Sequence, residues 1–345
     1  MKAVHFLLSV FVPLLQSNRL LPQAAVPARR FLGRWFFAVC AMLAISGCTT
    51  LQRTAHMYSP NALPAHTFRF ADGGESLYYQ FDVEPQQKPR ALLFFYGGSG
   101  CGTWKSVMPG YVKGLGIPAR VYALNKRFVP DRSMGMLTAG CNDEKFHAAN
   151  HPEQWVKDYV AFIEAQTKQA DALGLPVVLV GVSEGGIPAM RAAARLPQVT
   201  HLALIGNGGY TVRRMLQTFR QKGMNINVDA EWATISQDPY SLQKVWYGHP
   251  NRYWTDVMDL DPLPELLALN IPILLGHGGQ DRNVPVESSQ FLAERFTQAG
   301  KTNLTFKVYP GADHRLQAGG TSYRTDFFRE LGRMISEKPN LQKPN

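Results

Sequence analysis

Residues 177–180 (VVLV) form an apolar segment that is followed directly by a glycine-rich turn and then by an alanine-rich stretch at 189–195. Apolar residues at every position of a short segment are typical of a strand that is buried on both faces, as in a central parallel strand. The segment 91–96 (ALLFFY) has the same pattern. Because parallel strands need long crossover connections, usually helices, these segments favour a layered α/β fold.

Strand-like and helix-like segments alternate along the chain from residue 67 onward. Segments at 67–70 and 77–83 flank a turn with two glycines and predict an opening hairpin. Further strands are predicted at 120–124, 202–205, 271–275 and 304–308, and one-sided apolar faces predict helices at 155–163, 291–296 and 327–334. The alternation predicts an α/β fold with a mostly parallel central sheet and helices on both of its faces.

Residues 181–186 (GVSEGG) contain the pattern Gly-X-Ser-X-Gly between the predicted strand and the predicted helix. A sharp strand-to-helix turn exposes the serine hydroxyl above the sheet, and only small neighbours fit there, which accounts for Gly181 and Gly185. In this position the pattern resembles that of the α/β-hydrolase family, and the likeness runs over residues 91–328. The resemblance implies an α/β-hydrolase fold with Ser183 as the nucleophile.

Two further residues supply what an activated serine needs, which is a base and a group that orients the base. His314 follows the last predicted strand, where the resemblance places the catalytic histidine. Asp281 lies in the loop 278–285 (GGQDRNVP), which is similar to the family's acid loop. His277 precedes Asp281, whereas the family order is serine, acid, histidine. Asp313 is the rival acid, but it adjoins His314, and adjacent residues rarely face each other well.

Residues 96–100 (YGGSG) follow the first apolar strand and resemble the family's His-Gly loop, with Tyr96 in place of the histidine. Backbone N–H groups stabilise an oxyanion, so this replacement leaves the function possible. The predicted donors are Gly98, with Ser99 as the alternate, and Glu184, the residue after the nucleophile. We expect the side chain of Glu184 to act as a charge at the helix N-terminus. A phosphate-binding loop is disfavoured because no lysine follows as in GxxxxGK[ST].

One catalytic domain is expected at residues 67–338, followed by a tail at 339–345. The chain has 345 residues, of which 45% are hydrophobic, and it can therefore bury one large core. The interval at about 210–262 interrupts the strand-helix alternation, and we interpret it as an inserted cap. Its aromatic residues include Trp232, Tyr240, Trp246, Tyr247, Tyr253 and Trp254. These rings either line an acyl or aromatic substrate pocket or pack on one another.

The N-terminal region has the order of a signal peptide, with arginines at 29, 30 and 34 before an apolar run at 35–45. That run is too short to span a bilayer comfortably, because a membrane helix needs about 20 apolar residues. The positive residues follow an unusually long stretch, which suggests that translation starts near Val26. Residues 1–47 are the predicted signal peptide, and 48–66 the predicted lipidated linker.

Residues 45–48 (ISGC) resemble the bacterial lipobox, in which cleavage before the cysteine exposes an N-terminal residue that carries acyl chains. Cys48 is therefore the predicted lipidation site, and its acyl chains would hold the protein on a membrane. Thr49 stands where an aspartate would resemble the inner-membrane retention signal, which favours an outer-membrane lipoprotein of the bacterial envelope, facing the periplasm or the exterior. A plain secretory signal and a coincidental cysteine remain alternatives.

Cys101 and Cys141 are the two thiols that remain after cleavage and lipidation. An exported protein meets an oxidising compartment, so the two are a candidate disulfide, with a pair of free thiols as the alternative. The formal net charge is +10, but five of the positive residues precede Cys48, which leaves +5 on the mature chain. We interpret this as ordinary solubilising charge, and no block of like charge predicts a nucleic-acid partner.

The first functional hypothesis is an esterase-like serine hydrolase that acts on a small-molecule ester. An exopeptidase or amidase with the same three residues is the enzyme alternative, because acyl-enzyme chemistry is shared and the cap selects the substrate. A non-catalytic binding lipoprotein of this fold is the alternative from another class. No cofactor and no metal are expected, since the sequence lacks an HExxH motif or a close His/Asp cluster.

Overall fold

A computed structural model of the protein describes residues 62–105, 107–135, 141, 143–169 and 174–337. The chain divides into two units, residues 1–55 and 56–345, and every described residue lies in the second. The predicted signal peptide, Cys48 and the tail at 339–345 lie outside the described residues, as does most of the predicted linker. Within the described ranges no helix has both the length and the apolar character that crossing a bilayer requires.

The secondary structure of the described residues alternates as the sequence predicts. The strands are β1 (His66–Arg69), β2 (Glu75–Val83), β3 (Leu92–Tyr96), β4 (Cys101–Gly102), β5 (Ala119–Leu124), β6 (Met134–Gly135), β7 (Val177–Val182), β8 (Val199–Ile205), β9 (Val245–Trp246), β10 (His249–Pro250), β11 (Ile273–Gly278), β12 (Leu304–Tyr309), β13 (Gln317–Ala318) and β14 (Thr321–Ser322). The helices are α1 (Met108–Tyr111), α2 (Glu144–Ala149), α3 (Pro152–Thr167), α4 (Gly186–Arg195), α5 (Val212–Gln221), α6 (Val228–Ile235), α7 (Asn251–Val257), α8 (Leu263–Ala268), α9 (Val286–Gln298) and α10 (Arg324–Ser336).

Eight strands form one sheet in the order β1-β2-β5-β3-β7-β8-β11-β12. The hairpin β1–β2 is antiparallel, and β2 pairs antiparallel with β5, whereas every other neighbouring pair in this sheet is parallel. The predicted opening hairpin and mostly parallel sheet are confirmed. Since the parallel strands share one direction, the loops after β3, β7, β8, β11 and β12 meet at the same edge of the sheet.

Helices cover both faces of this sheet. Leu92 and Phe94 of β3 pack into one core with α3, α4 and α9, while Leu93 and Phe95 pack into a second core with α1 and α10. All four side chains are at most 1% exposed. Fully burying a side chain of this size contributes about 1.5–3 kcal/mol, so both faces of β3 stabilise the fold. This two-sided burial is the reason that the segment is apolar at every position.

The insertion between β8 and β11 contains α5, α6, the two-stranded β9–β10 hairpin, α7 and α8. Several of its aromatic rings pack on one another. The ring centroids of Trp246 and Trp254 are 4.6 Å apart, and Tyr253 stacks on His249 at 3.9 Å. Tyr240 remains 66% exposed. Tyr253 and Trp254 also belong to the apolar core cluster that contains Trp155, so packing is the role that the contacts of these rings show.

Cys101 and Cys141 form a disulfide, with Cα atoms 5.6 Å apart and a sequence separation of 40 residues. Cys101 begins β4, directly after the glycine-rich loop that follows β3. The two cysteines lie in a small buried cluster with Val129 and Phe146. The disulfide therefore ties the end of that loop to the segment that precedes α2.

Removing this disulfide is expected to lower the free energy of unfolding by about 4 kcal/mol, because the unfolded chain loses the constraint of a closed loop of roughly 40 residues. Urea denaturation of the parent and of Cys101→Ala/Cys141→Ala measures the difference. A thiol reductant should destabilise the parent and leave the double variant unchanged. Equal stability of the two proteins under oxidising conditions would contradict the expectation.

Candidate active site

Ser183 lies on a sharp turn between β7 and α4. The strand ends at Val182, a single 3₁₀ turn covers Ser183–Gly185, and α4 begins at Gly186. Ser183 has φ = 54°, in the left-handed region that non-glycine residues rarely adopt. Strain of this kind costs of order 1–3 kcal/mol and persists only where the surrounding structure holds it. The turn places the serine at the edge of the sheet where the loops converge.

Small residues are required around this turn. A Cβ atom on Gly181 would lie 2.6 Å from the carbonyl oxygen of Gly185, and one on Gly185 would lie 2.2 Å from that of Tyr96. Both distances are shorter than any van der Waals contact, so side chains there would displace the backbone. The amide of Asn207, just after β8, donates to the carbonyl oxygen of Ser183 at 3.0 Å. The sequence analysis did not identify Asn207, although it lies in a glycine-rich segment after a strand.

His314 and Asp281 are hydrogen-bonded, with 2.6 Å between Nδ1 of the histidine and Oδ2 of the aspartate. Asp281 follows β11, and its other oxygen accepts the backbone N–H groups of Asn283 and Val284 at 2.8 and 2.9 Å. His314 follows β12 and packs over Gly206, where a Cβ atom would lie 2.8 Å from its Cε1. Because β8 lies between β7 and β11 in the sheet, Ser183 and this pair lie on either side of the end of β8.

The carboxylate of Asp281 is fully buried and charged. Burial by itself raises its pKa, but hydrogen bonds from His277 and His314 and from the backbone N–H of Val284 outweigh the desolvation. The pKa of Asp281 therefore lies well below its ordinary value, and the group stays ionised at neutral pH. An ionised carboxylate accepts the histidine N–H and stabilises an imidazolium when one forms.

His277 makes a second contact with the acid. It is completely buried in β11, and its Nε2 lies 3.2 Å from Oδ2 of Asp281 and 3.0 Å from the carbonyl oxygen of Val284. Both neighbours are acceptors, so Nε2 carries a hydrogen and donates it. Nδ1 lies 2.6 Å from Oγ of Ser289. The sequence analysis weighed His277 only as a rival base, whereas the structure places it behind the oxygen that holds His314.

Asp313, the rival acid, is held in a different arrangement. Its Oδ1 accepts the backbone N–H groups of Arg315 at 2.8 Å and Gln317 at 3.0 Å. These bonds close the turn that carries His314 and give the Asp313 carboxylate a structural role. The geometry therefore places Asp281, and not Asp313, against the histidine ring.

The glycine-rich loop after β3 lies directly against Ser183. A Cβ atom on Gly98 would be 3.2 Å from Cβ and 3.6 Å from Oγ of Ser183, so the backbone of this loop closely approaches the hydroxyl. A Cβ atom on Gly97 would lie 2.9 Å from the indole ring of Trp104. Both residues predicted as oxyanion donors therefore lie next to Ser183. Gly98 approaches it from the loop after β3, and Glu184 is the next residue in the chain.

We expected the side chain of Glu184 to act as a charge at the helix N-terminus, but the structure gives it specific buried partners. Its carboxylate is 5% exposed and forms an ion pair with Lys126, whose side chain is 7% exposed. Burial raises the pKa of Glu184, but the charge and hydrogen bond of Lys126 outweigh that effect, so the pKa lies below its ordinary value.

Within the described part of the chain, no three His, Cys, Asp or Glu side chains are grouped so as to hold a metal ion.

The family model of the prolyl oligopeptidases (peptidase S9) matches residues 143–332, which is more than half of the 345 residues. The chain belongs to the prolyl oligopeptidase family. The matched interval contains Ser183, Asp281 and His314, and it begins after the glycine-rich loop at 96–100. No curated protein has significant sequence similarity to the chain.

Solved structures of α/β-hydrolases share the fold of this member of the prolyl oligopeptidase family. Est1E from Butyrivibrio proteoclasticus, solved with ferulic acid bound, has a TM-score of 0.58 and 16% identity over 79% of this chain and 100% of its own. The acylaminoacyl peptidase of Pyrococcus horikoshii has a TM-score of 0.53 and 14% identity over 80% of this chain. An esterase of Pyrococcus furiosus has a TM-score of 0.51 and 12% identity over 79% of this chain and 89% of its own.

These identities establish the fold alone, and the predicted α/β-hydrolase fold is confirmed. The chain spans 42% of the length of the acylaminoacyl peptidase. Membership of the prolyl oligopeptidase family together with the fold supports a serine hydrolase. It leaves open whether the substrate is an ester or a peptide.

Asp281→Asn is expected to retain the fold and to lower kcat by about 10⁴-fold, since an amide can favour the wrong histidine tautomer and does not offset the imidazolium charge. Asp313→Asn is the matched control, because it makes the same chemical change one residue from His314. Hydrolysis rates and circular dichroism of both variants provide the measurement. A well-folded Asp313→Asn that is inactive beside an active Asp281→Asn would show that the third member of the triad is wrongly assigned.

Proposed function

We propose that the protein is a serine hydrolase that cleaves carboxylic esters through an acyl-enzyme on Ser183, with His314 as general base and Asp281 as its orienting acid. The observation that carries this proposal is the 2.6 Å hydrogen bond between Asp281 and His314 at the strand ends beside the Ser183 turn. The Asp281 contact uses Nδ1 of the histidine and leaves Nε2 as the ring atom that exchanges protons with the serine.

In the acylation step, Oγ of Ser183 attacks the carbonyl carbon of the ester while its proton passes to Nε2 of His314. The carbonyl oxygen becomes an oxyanion, which accepts hydrogen bonds from the backbone N–H groups of Gly98, or Ser99, and Glu184. The tetrahedral intermediate then breaks its bond to the alkoxide, and His314 returns the proton to that leaving group. The acid portion of the substrate remains on Ser183 as an ester.

Deacylation repeats these reaction steps with water as the nucleophile. His314 accepts a proton from the water, the hydroxide adds to the acyl carbon, and collapse releases the carboxylic acid and restores the hydroxyl of Ser183. Asp281 stays ionised throughout because its pKa lies far below neutral pH. Each step needs only groups that the described residues supply, together with substrate and water.

Ser183→Ala is expected to remove ester turnover and leave the fold intact, since it deletes the attacking oxygen with little change in volume. Initial rates on a 4-nitrophenyl ester, with circular dichroism as the folding control, test this. The parent should also react covalently with a fluorophosphonate probe, and mass spectrometry should place the modification on Ser183. Turnover in Ser183→Ala comparable to that of the parent would refute the assignment.

A peptidase or amidase activity is the second candidate, and membership of the prolyl oligopeptidase family favours it. Peptide cleavage uses the same acyl-enzyme, but the amine leaving group must be protonated by His314 before it departs. A panel of 4-nitrophenyl esters and aminoacyl 4-nitroanilides separates the two activities. Faster hydrolysis of the anilides, as kcat/KM, would favour the peptidase.

We also propose that residues 1–47 are a signal peptide and that Cys48 carries a lipid anchor on the bacterial cell envelope. The lipobox-like residues 45–48 support this proposal. The disulfide between Cys101 and Cys141 adds independent support, because such bonds persist mainly in oxidising compartments.

Cys48→Ser is expected to abolish acylation and to move the protein out of the membrane fraction, because the variant offers no thiol for the lipid. Metabolic labelling with a palmitate analogue and cell fractionation of parent and variant measure both effects. Ser46→Ala, within the same motif, is the control that keeps the cysteine. Unchanged labelling of Cys48→Ser would place the lipid elsewhere or show that there is none.

A further inference from the structure

The carboxylate of Glu184 connects several separate segments at the catalytic edge of the sheet. Oε1 accepts a hydrogen bond from the ammonium group of Lys126, which lies just after β5. Oε2 accepts the hydroxyl of Ser99 at 3.1 Å, from the loop after β3, and the hydroxyl of Tyr253, from α7 of the inserted cap. One buried side chain therefore links the nucleophile turn to two loops and to the cap.

Lys126 makes a second contact besides its ion pair with Glu184. Its ammonium nitrogen lies 4.6 Å from the ring centroid of Trp155 in α3, in a cation–π contact. Replacing a buried ion pair by apolar residues is often neutral or stabilising, so a pair of this kind is weak evidence for a role in stability. The position of this ion pair beside the Ser183 turn is better explained by a role in positioning neighbouring segments of the site.

The backbone groups predicted to hold the oxyanion belong to two different segments. Glu184 is on the turn after β7, whereas Gly98 and Ser99 are on the loop after β3. Both N–H groups must lie 2.7–3.1 Å from one oxygen that exists only in the transition state. A displacement of about 1 Å can reduce the rate by about 10²-fold. The hydrogen bond from Ser99 to Glu184 joins the side chains of two residues in this set and spans both segments.

We propose that Glu184, held by Lys126, is a positioning residue that sets the separation of the two oxyanion donors and ties it to the inserted cap through Tyr253. This inference rests on the proposed function, because it assumes that an oxyanion forms beside Ser183. The donors act through their backbone N–H groups, and the Glu184 side chain acts by keeping the two segments in register.

The link to the cap passes through buried groups. Tyr253 is 7% exposed, and its ring stacks on His249 at 3.9 Å between centroids and lies 6.2 Å from that of Trp155. A movement of α7 would pull the Tyr253 hydroxyl away from Oε2 of Glu184. The position of the cap and the geometry of the donors are therefore coupled by one hydrogen bond.

The charged and titratable side chains that face Glu184 are Lys126, His249, Tyr253 and Tyr96. Burial lowers the pKa of His249 to about 4, so this histidine is neutral at neutral pH. Burial raises the pKa values of both tyrosines well above the ordinary value, so they stay protonated. Lys126 therefore supplies the positive charge that keeps Glu184 ionised, and an ionised carboxylate is the better acceptor for two hydroxyl groups.

Ser99→Ala removes the bond between the two donor segments and keeps the ion pair. It is expected to lower kcat on a 4-nitrophenyl ester about tenfold or more, with KM within a factor of about two, because the missing bond matters mainly in the transition state. Arg120→Met is the control for both this variant and Lys126→Met, because it removes a different ion pair. Arg120 lies near the start of the strand that Lys126 follows, and it pairs with Asp82 at 2.9 Å, away from the catalytic edge. The control should keep the parent kcat.

Lys126→Met tests the charge. Glu184 then remains buried without a positive partner, so its pKa rises, and kcat should fall on the acid side at a higher pH than in the parent. The double variant Lys126→Met/Glu184→Gln should lack this additional pH dependence, since the amide does not titrate. A protein in which Lys126 were only structural would lose stability in Lys126→Met without a new ionisation in its kcat profile.

Fluorophosphonate labelling of Ser183 in the parent is measured first, so that failure of the proposed function is seen separately. If the parent is not labelled and Ser183→Ala is as active as the parent, the proposed function fails and the positioning role with it. If the parent is labelled but Ser99→Ala and Lys126→Met keep the parent kcat and pH profile, the positioning role alone is overturned. A reduced kcat in Ser99→Ala with a new acid limb in Lys126→Met supports the proposal.

Discussion

The turn from β7 to α4 holds Ser183 at φ = 54°, and every other part of the site is arranged around that conformation. The turn is possible because Gly181 leaves no side chain against the backbone of Gly185, and Gly185 leaves none against the end of β3. Asn207 then holds the serine carbonyl from the neighbouring strand end. The local strain is thus maintained by tight packing of backbone against backbone, which is how proteins retain such conformations at reactive residues.

The acid side of the site depends on hydrogen bonds and not on exposure to water. A buried carboxylate without partners costs several kcal/mol. Asp281 avoids this cost because two histidine rings and two backbone N–H groups all donate to it. His277 and His314 both contact Oδ2, so a residue inside β11 helps to hold the oxygen that contacts the His314 ring. His277 lies in β11 and the backbone donors lie in the loop that follows it, whereas His314 comes from the loop after β12.

The inserted cap is joined to the catalytic edge by polar contacts as well as by apolar packing. The hydroxyl of Tyr253 donates to Glu184 beside Ser183, and Trp254 donates its indole N–H to the carbonyl oxygen of Trp246 within the cap itself. Tyr253, Trp254 and Val257 of α7 also belong to the same apolar cluster as residues of β3 and α3.

The sequence by itself determined the layered fold, because strands buried on both faces leave local patterns of apolar residues. It also named Ser183, Asp281 and His314 as candidates from motifs beside predicted strand ends, and the structure brings Asp281 and His314 into contact. Short elements such as α1 and the two-residue strands were not predicted, since they contain too few residues to show a period. Only the tertiary structure decided that His277 supports Asp281 and that Lys126 neutralises Glu184, 58 residues away. Such contacts depend on which strand ends become neighbours at one edge of the sheet, and no local pattern records that neighbourhood.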